Sequence, residues 1–255
     1  MVEKIIASPE PFGYRNKCEF SFGQDLDNKP SLGFRVTSFP DVRVDPPFEC
    51  PNVPAVLKMV VGEIINFLKT SRLKPYDQHS HSGNYRTLTT RYSKRTGGLV
   101  VMICVSLKEV DVEAWSSDLK ELEDIFRSLW APVEDIDESV PFVFTPQRAQ
   151  QAYSSSLEGR KKMVSGFCFQ VYNGVSVPNP DDPVTSVYGD MSICEELLGC
   201  RFEVSPQAFF QVFFVNIKCI RICALTSHSL LPSAFLRSDD LHSVHYLHIS
   251  VHYIE

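Results

Sequence analysis

Glycine is absent from the last 56 residues of this chain, although the full sequence of 255 residues contains 12. The last glycine is Gly199, and five of the seven histidines lie beyond it. A glycine-rich loop lets the backbone approach a ligand closely because glycine has no Cβ. The segment that ends the chain therefore cannot supply such a loop, and its composition predicts that it differs from what precedes it.

Net positive charge is also lacking. The chain has 25 Lys and Arg against 31 Asp and Glu, which gives a formal net charge of −6. This excludes the basic footprint of a nucleic-acid-binding protein at the level of the whole chain, so any RNA contact must be a local patch.

Signals for membranes, secretion and metals are missing too. No apolar run approaches the length of a membrane span, and residues 1–12 lack the apolar core of a signal peptide. The eight cysteines form no CxxC pair, and no cysteine or carboxylate shares the spacing of the histidines near the end, which fit a strand face as well as a metal site. We expect reduced thiols, no metal, and an intracellular location, cytoplasmic or nuclear.

Hydrophobic periodicity predicts an α+β fold with a mostly antiparallel sheet and two helices. The helices are expected at Val53–Lys69, with Asn52 or Pro54 at its start, and at Val112–Leu129. A continuous apolar run at Leu99–Ser106 predicts a central strand that is covered on both faces. Further strands are expected at Lys17–Gly23 and Leu32–Val36, which would form a hairpin, and at Tyr85–Arg91, Val140–Phe144, Ser165–Tyr172, Ser192–Leu197 and Arg201–Val204.

A first short basic stretch lies in the segment Tyr14–Phe20. Arg15 and Lys17 are two residues apart and would share one face of a strand. That face suits a phosphate backbone, although these residues alone are more typical of a solvated strand edge.

A second basic stretch begins at Arg86 and includes Arg91, with Lys94 and Arg95 directly after it. It is the densest positive patch of the chain. Tyr85 and Tyr92 interleave aromatic rings that suit stacking on nucleic-acid bases. The alternative is a charged hairpin tip, which these residues alone favour.

Three motifs occur in a specific order. They are Gly-Tyr-Arg-Asn-Lys-Cys-Glu-Phe at 13–20, Gly-x-x-Arg-x-Leu-x-x-Arg at 83–91, and Leu-Leu-Gly-x-x-Phe-x-x-Ser-Pro-x-Ala-Phe-Phe-Gln-Val at 197–212. In this order they resemble the S-adenosylmethionine-dependent RNA (uracil-5-)-methyltransferases, and most of all the eukaryotic tRNA enzymes that make the T-loop ribothymidine. The resemblance covers roughly Ser8 to Val212.

The resemblance implies a reaction, a cofactor and a partner. In this family a cysteine thiolate adds to carbon 6 of a flipped uracil, carbon 5 takes the methyl group of S-adenosylmethionine, and a base removes the proton from carbon 5. The partner implied is tRNA. Gln211 matches the glutamine that contacts the methyl donor, and the candidate RNA contacts are Arg15, Lys17, Tyr85, Arg86 and Arg91.

The sequence departs from the family after Val212. The Gly-rich cofactor loop, the Asp-Pro-Pro-Arg motif, the Ser-Cys-Asn motif with the nucleophile and the glutamate that acts as base are all absent. We therefore assign no catalytic residue, and neither Cys219 nor Cys223 is taken as the nucleophile. The expectation is a chain truncated before the Rossmann-like methyltransferase domain and inactive as given.

The predicted domain limits follow from these motifs. Residues 1–36 would form the N-terminal hairpin region, 37–208 a central α+β domain, 209–212 the start of the methyltransferase domain, and 213–255 an unrelated tail. One alternative is a non-catalytic tRNA-binding fragment. Another is a polypeptide without a stable fold, whose apolar tail favours aggregation.

Overall fold

The computed structural model describes residues 8, 10–130, 136–144, 161–176, 178–179, 182–197 and 200–210. Gln211 and the predicted tail lie outside the described residues. The described ranges contain two helices, α1 (Ala55–Phe67) and α2 (Val112–Ser128), and a short 3₁₀ helix at Pro47–Glu49. Their strands are β1 (Lys17–Gln24), β2 (Pro30–Arg35), β3 (Val44–Asp45), β4 (Tyr85–Tyr92), β5 (Leu99–Val105), β6 (Gly166–Val171), β7 (Val184–Gly189), β8 (Ile193–Leu197) and β9 (Cys200–Val204).

Seven of these strands form one sheet in the order β3-β2-β1-β4-β5-β6-β7. Every pair in it is antiparallel except β5 and β6, which run parallel. The chain between β5 and β6 includes α2, as expected for a crossover between parallel strands. The strands β8 and β9 form a separate antiparallel pair.

Both helices pack into the core on one face of the large sheet. The alternation of β1 directs Cys18, Phe20 and Phe22 into this core, and every residue of β5 is buried. Leu57 of α1 and Leu122 of α2 are fully buried in the same cluster. Each fully buried side chain of this size contributes roughly 1.5–3 kcal/mol relative to an exposed one.

The opposite face of the sheet is covered only in part. Val100 and Met102 of β5 form a second apolar cluster with Ile193, Val204 and Phe210, from the β8–β9 pair and the segment after it. Because this cluster involves only some of the strands, it leaves room for a large cleft on the remainder of the same face.

Most predicted elements are confirmed within about two residues. The N-terminal hairpin, both helices, the central buried strand and the mostly antiparallel α+β sheet are present. The prediction of a strand at Val140–Phe144 is wrong, because these residues have no ladder partner and instead bring Phe142 and Phe144 against Phe48. The strand β3 was not predicted, and the domain limits stay a prediction.

Candidate nucleic-acid interface

A cleft of about 1030 Å³ lies on the sheet face that the helices leave open. Its walls come from β1, β4, the turn 74–83, the loop 40–43 and the segment 176–179. The basic side chains in its lining outnumber the acidic ones, even though the whole chain is acidic. The basic residues are Lys17, Arg35, Arg43, Lys74 and Arg86, and the acidic ones are Glu19, Asp41 and Asp77.

Strand alternation explains how this polar surface lies behind an apolar core. On β1, Lys17 and Glu19 face the cleft because Cys18 and Phe20 face the helices. On β4, Thr89 lines the cleft while Leu88 is in the core. The same alternation that builds the core therefore presents charge on the other face.

Arg86 joins two walls of the cleft. Its guanidinium carbon lies 4.1 Å from the ring centroid of Tyr76 and 4.9 Å from that of Tyr172. The same guanidinium donates hydrogen bonds to the carbonyls of Gly174, at 2.7 Å, and Ser176, at 2.8 Å. The side chain is therefore a positioning group that holds the 74–83 turn and the loop after β6 against β4.

The turn 74–83 needs glycine at one position. Gly83 has φ +93, and a Cβ there would lie 2.2 Å from the carbonyl oxygen of Pro75. The carboxylate of Asp77 accepts hydrogen bonds from the backbone N–H of His79, at 3.0 Å, and of Ser80, at 3.2 Å. The pKa of Asp77 is lowered most by the hydrogen bond that its carboxylate accepts from the Ser80 hydroxyl, and further by these two backbone bonds. Hydrogen bonds within the turn thus fix the conformation of its tip at the edge of the cleft.

Arg43 fixes the loop on the other side. Its guanidinium forms an ion pair with Asp41 at 2.7 Å and donates hydrogen bonds to the side-chain oxygens of Asn28, at 2.6 Å, and Gln24, at 3.1 Å. Most of its donors are engaged by the protein. Lys74 and Arg35 are exposed and have no carboxylate within 4.0 Å among the described residues, so they offer more positive charge to a ligand.

The sequence-predicted RNA contacts are found in three different settings. Lys17 and Arg86 lie together in the cleft lining. Arg15 precedes the first residue of β1 and does not share its face; its guanidinium carbon lies 6.0 Å from the ring centroid of Phe34. Tyr85 and Arg91 are fully buried, so neither side chain is exposed to a nucleic acid in this structure.

Tyr85 has a structural partner in α2. Its hydroxyl donates a hydrogen bond of 2.8 Å to Asp118, which also accepts one of 2.5 Å from the hydroxyl of Ser71. Its ring stacks on Phe22 at 5.2 Å and meets the edge of Phe67 at 5.9 Å. Burial and the neighbouring Asp118 raise the pKa of Tyr85 far above its ordinary value, so the phenol stays protonated.

The remaining bases of the second basic stretch lie outside the cleft lining. Lys94 forms an ion pair with Glu10 at 3.3 Å, and Arg95 donates a hydrogen bond to the carbonyl of Glu196. Sequence reasoning grouped them with Arg86 because they are close along the chain. It missed Lys74 and Tyr76, whose signal is the Lys-Pro-Tyr sequence that begins the 74–83 turn.

Thiols of the sheet are poor nucleophiles. Burial raises the pKa of Cys18 and of Cys168 to about 12, and that of Cys104, in the cleft lining, to about 11. A thiol with such a pKa is almost entirely protonated near neutral pH.

In the part of the chain that the structure describes, no group of three or more His, Cys, Asp or Glu side chains is arranged to hold a metal ion. Neither described helix is long and apolar enough to cross a bilayer.

Comparison with curated proteins gives matches over most of the chain, while no protein-family model matches it. Zinc finger CCCH domain-containing protein 24 of Arabidopsis thaliana is 29% identical over 237 residues, which cover 83% of this chain and 27% of that protein. The human tRNA (uracil-5-)-methyltransferase homolog A is 28% identical over 216 residues, which cover 83% of this chain and 30% of that protein. The chain thus matches less than a third of the length of these relatives.

A solved structure shares the fold. The tRNA (uracil-54, C5)-methyltransferase of Pyrococcus abyssi, in complex with S-adenosyl-L-homocysteine, superposes with a TM-score of 0.51 at 16% identity. The match covers 86% of this chain and 42% of that chain. Together with the three ordered motifs and the curated matches, it shows that the chain is similar to RNA (uracil-5-)-methyltransferases over most of its length.

Proposed function

We propose that the described residues form the tRNA-holding part of a tRNA (uracil-5-)-methyltransferase, whose full-length reaction methylates carbon 5 of a T-loop uridine. The single observation that carries this proposal is the basic cleft on the open face of the sheet. Its positive charge suits phosphates, and the Tyr76 ring on its wall suits the stacking of unpaired bases. Since tRNA is an intracellular molecule, we propose an intracellular location, cytoplasmic or nuclear.

S-adenosylmethionine is the methyl donor we propose for the full-length reaction, but the described residues do not fit it. A cofactor cradle needs glycines whose missing Cβ leaves space for the ligand. Here a Cβ at Gly83 would meet Pro75, one at Gly166 would meet Asp190, and one at Gly33 would meet Asp45. These glycines accommodate the chain itself, and Gln211 lies outside the described residues.

The 255-residue polypeptide tested alone is therefore proposed to bind tRNA without methylating it. The cleft supports the binding. The absence from the printed sequence of the Ser-Cys-Asn motif and the Gly-rich loop supports the lack of turnover. A non-catalytic tRNA-binding role is the alternative function, and it predicts that binding is the whole activity of the polypeptide.

A binding experiment with charge-reversed variants tests the role of the cleft. We expect Lys74→Glu combined with Arg35→Glu to weaken binding of a T-loop RNA and to reduce the slope of log affinity against log salt by about 2, because each lost phosphate contact removes about one unit. Lys120→Glu is the matched control, since Lys120 is exposed on α2, on the helical side of the sheet. Equal loss in the control variant would reject the cleft as the binding surface.

A transfer assay tests the second half of the proposal. Incubation of the polypeptide with T-loop RNA and radiolabelled S-adenosylmethionine is expected to give no label in the RNA. Turnover by the polypeptide alone would overturn the proposed inactivity and would leave the binding role intact.

A further inference from the structure

Two cations lie directly opposite each other in the sheet. Lys17 of β1 pairs across the strands with Arg91 of β4. Arg91 in turn pairs with Val100, which faces the second apolar cluster, so Lys17 and Arg91 share the cleft side of the sheet. Like charges in directly opposed positions destabilise a sheet, by roughly 0.2–1 kcal/mol. Such a pair calls for a compensating anion.

Arg91 lacks such an anion among the described residues. It is fully buried, it has no carboxylate within 4.0 Å there, and its Nε has no hydrogen-bond partner. Its terminal nitrogens donate to the side chain of Asn16 and to the carbonyl of Ala208. Burial lowers its pKa to about 10, and the buried Glu195 offsets this only in part. An uncompensated guanidinium in this position is costly.

The charge of Lys17, on the cleft side of the sheet, is also disfavoured by its surroundings. Burial lowers its pKa first, the charge of Arg91 lowers it further, and only the exposed Glu19 acts in the other direction. Gln207 also lines the cleft, and its Nε2 is buried with no hydrogen-bond partner among the described residues. Arg91 connects the two residues, because Lys17 is its strand partner and Gln207 precedes the residue whose carbonyl it holds.

We propose that the cleft around Lys17 is a phosphate-binding subsite, in which this lysine contacts a backbone phosphate of the bound RNA. Gln207 supplies a side-chain N–H, and Arg91, buried beneath Ala208, supplies charge rather than contact. The unpaired groups are N–H donors and cations, which matches a phosphate group, an acceptor with negative charge. The RNA source of that phosphate rests on the proposed function, because the rest of the cleft is basic and carries aromatic rings.

If this subsite exists, replacing Lys17 changes thermal stability in a way that replacing an ordinary surface lysine does not. Replacing Lys17 removes a charge that the ligand-free protein tolerates poorly but that phosphate binding uses. We expect Lys17→Met to raise the midpoint of thermal unfolding by about 1–4 °C in the absence of ligand. The same variant is expected to lose the additional stabilisation that inorganic phosphate gives the unmodified protein. Lys120→Met, at an exposed lysine of α2 outside the cleft, is the matched control and should keep both properties.

The experiment measures thermal unfolding in sodium phosphate and in sodium chloride at equal ionic strength, because phosphate also stabilises proteins in general. A second arm measures T-loop RNA affinity against salt, where Lys17→Met should reduce the slope by about 1. Lower stability of ligand-free Lys17→Met, or a phosphate effect equal to that of the unmodified protein, would overturn the subsite. RNA binding through Lys74 and Arg35 with no Lys17 effect overturns the subsite and keeps the proposed function. A Lys17-dependent phosphate effect without RNA binding supports the anion subsite and overturns its RNA source.

Discussion

Two residues with the same predicted role, Tyr85 and Arg86, are adjacent in the sequence yet have opposite environments. The ladder between β4 and β5 is irregular between Tyr85 and Thr87, so that Tyr85 enters the core while Arg86 and Thr87 both line the cleft. The aromatic rings beside the Arg86 guanidinium come instead from the 74–83 turn, as Tyr76, and from the loop after β6, as Tyr172. At the scale of single residues, the face of a strand decides function more than the residue type does.

The structure predicts that Tyr85→Phe affects stability and not RNA binding. The change removes the 2.8 Å hydrogen bond to the buried Asp118, which keeps the Ser71 hydroxyl as a partner. We expect a loss of about 1–2 kcal/mol in the free energy of unfolding, measured by urea denaturation. Tyr76→Phe is the control, because the Tyr76 hydroxyl is exposed and forms its hydrogen bond with the His81 ring. A marked loss of RNA affinity in Tyr85→Phe without loss of stability would contradict the structural role.

The buried carboxyl group of Glu195 is expected to make the stability of the fold depend on pH. Burial raises its pKa above the ordinary value of a glutamate, while hydrogen bonds from the Glu196 N–H and the Ser93 side chain act the other way. As the pH rises past that ordinary value, the unfolded chain loses this proton first, so Glu195 lowers the stability of the fold progressively through its raised pKa. The free energy of unfolding of Glu195→Gln should therefore exceed that of the unmodified protein by more at pH 7 than at pH 4. Urea denaturation of both proteins at the two pH values measures this, with Glu49→Gln at an exposed site as control; no change in the difference would contradict the expectation.

At the scale of elements, the two helices begin in different ways. The helix α2 has a local cap, since the Asp111 carboxylate accepts hydrogen bonds from the N–H groups of Glu113 and Ala114. The helix α1 follows Pro54, which offers no side-chain cap. The N–H of Ala55 instead donates to the carboxylate of Glu138, at 3.0 and 3.1 Å. The segment 136–144 therefore completes the first turn of α1.

We expect Glu138→Ala and Asp111→Ala to have similar costs, about 1 kcal/mol each in the free energy of unfolding, because each removes one N-terminal cap. Chemical denaturation measures both. Glu138→Gln keeps an oxygen acceptor and should lose less than Glu138→Ala. If Glu138→Ala costs nothing while Asp111→Ala does, the distant carboxylate is not a functional cap of α1.

These elements show what sequence reasoning can reach. The helices and the central strand were predictable because apolar periodicity records which face is buried, and this holds for α2 and β5 alike. The cap of α1 was not predictable, since it comes from a residue 83 positions away. The cleft was predictable only at Lys17 and Arg86. Its other cations come from the end of β2 and from two loops, which the sheet order brings together, and no local pattern records that order.

At the scale of the whole molecule, the sheet separates two tasks. One face carries the helices and the main core, and the other carries the smaller cluster of β8 and β9 together with the cleft. The chain is acidic as a whole, but basic side chains outnumber acidic ones in the cleft, so a local positive field there would favour RNA at this surface. Some walls of the cleft are loops, and the arrangement of these loops depends on the side chains that hold them to the sheet.

Arg86 is the main side chain that holds loops of the cleft to the sheet. The variant Arg86→Lys keeps the positive charge and loses the geometry of the guanidinium group. A lysine keeps the positive charge but cannot donate to two carbonyls and lie between two rings in the same way. We expect faster amide hydrogen exchange in 74–83 and 172–176, and RNA affinity roughly 5- to 10-fold lower, equivalent to about 1–1.4 kcal/mol of binding free energy. Arg35→Lys, which also keeps its charge in the cleft, should change neither quantity appreciably. Unchanged exchange and affinity in Arg86→Lys would show that charge alone matters at this position, and that the walls of the cleft are held by other contacts.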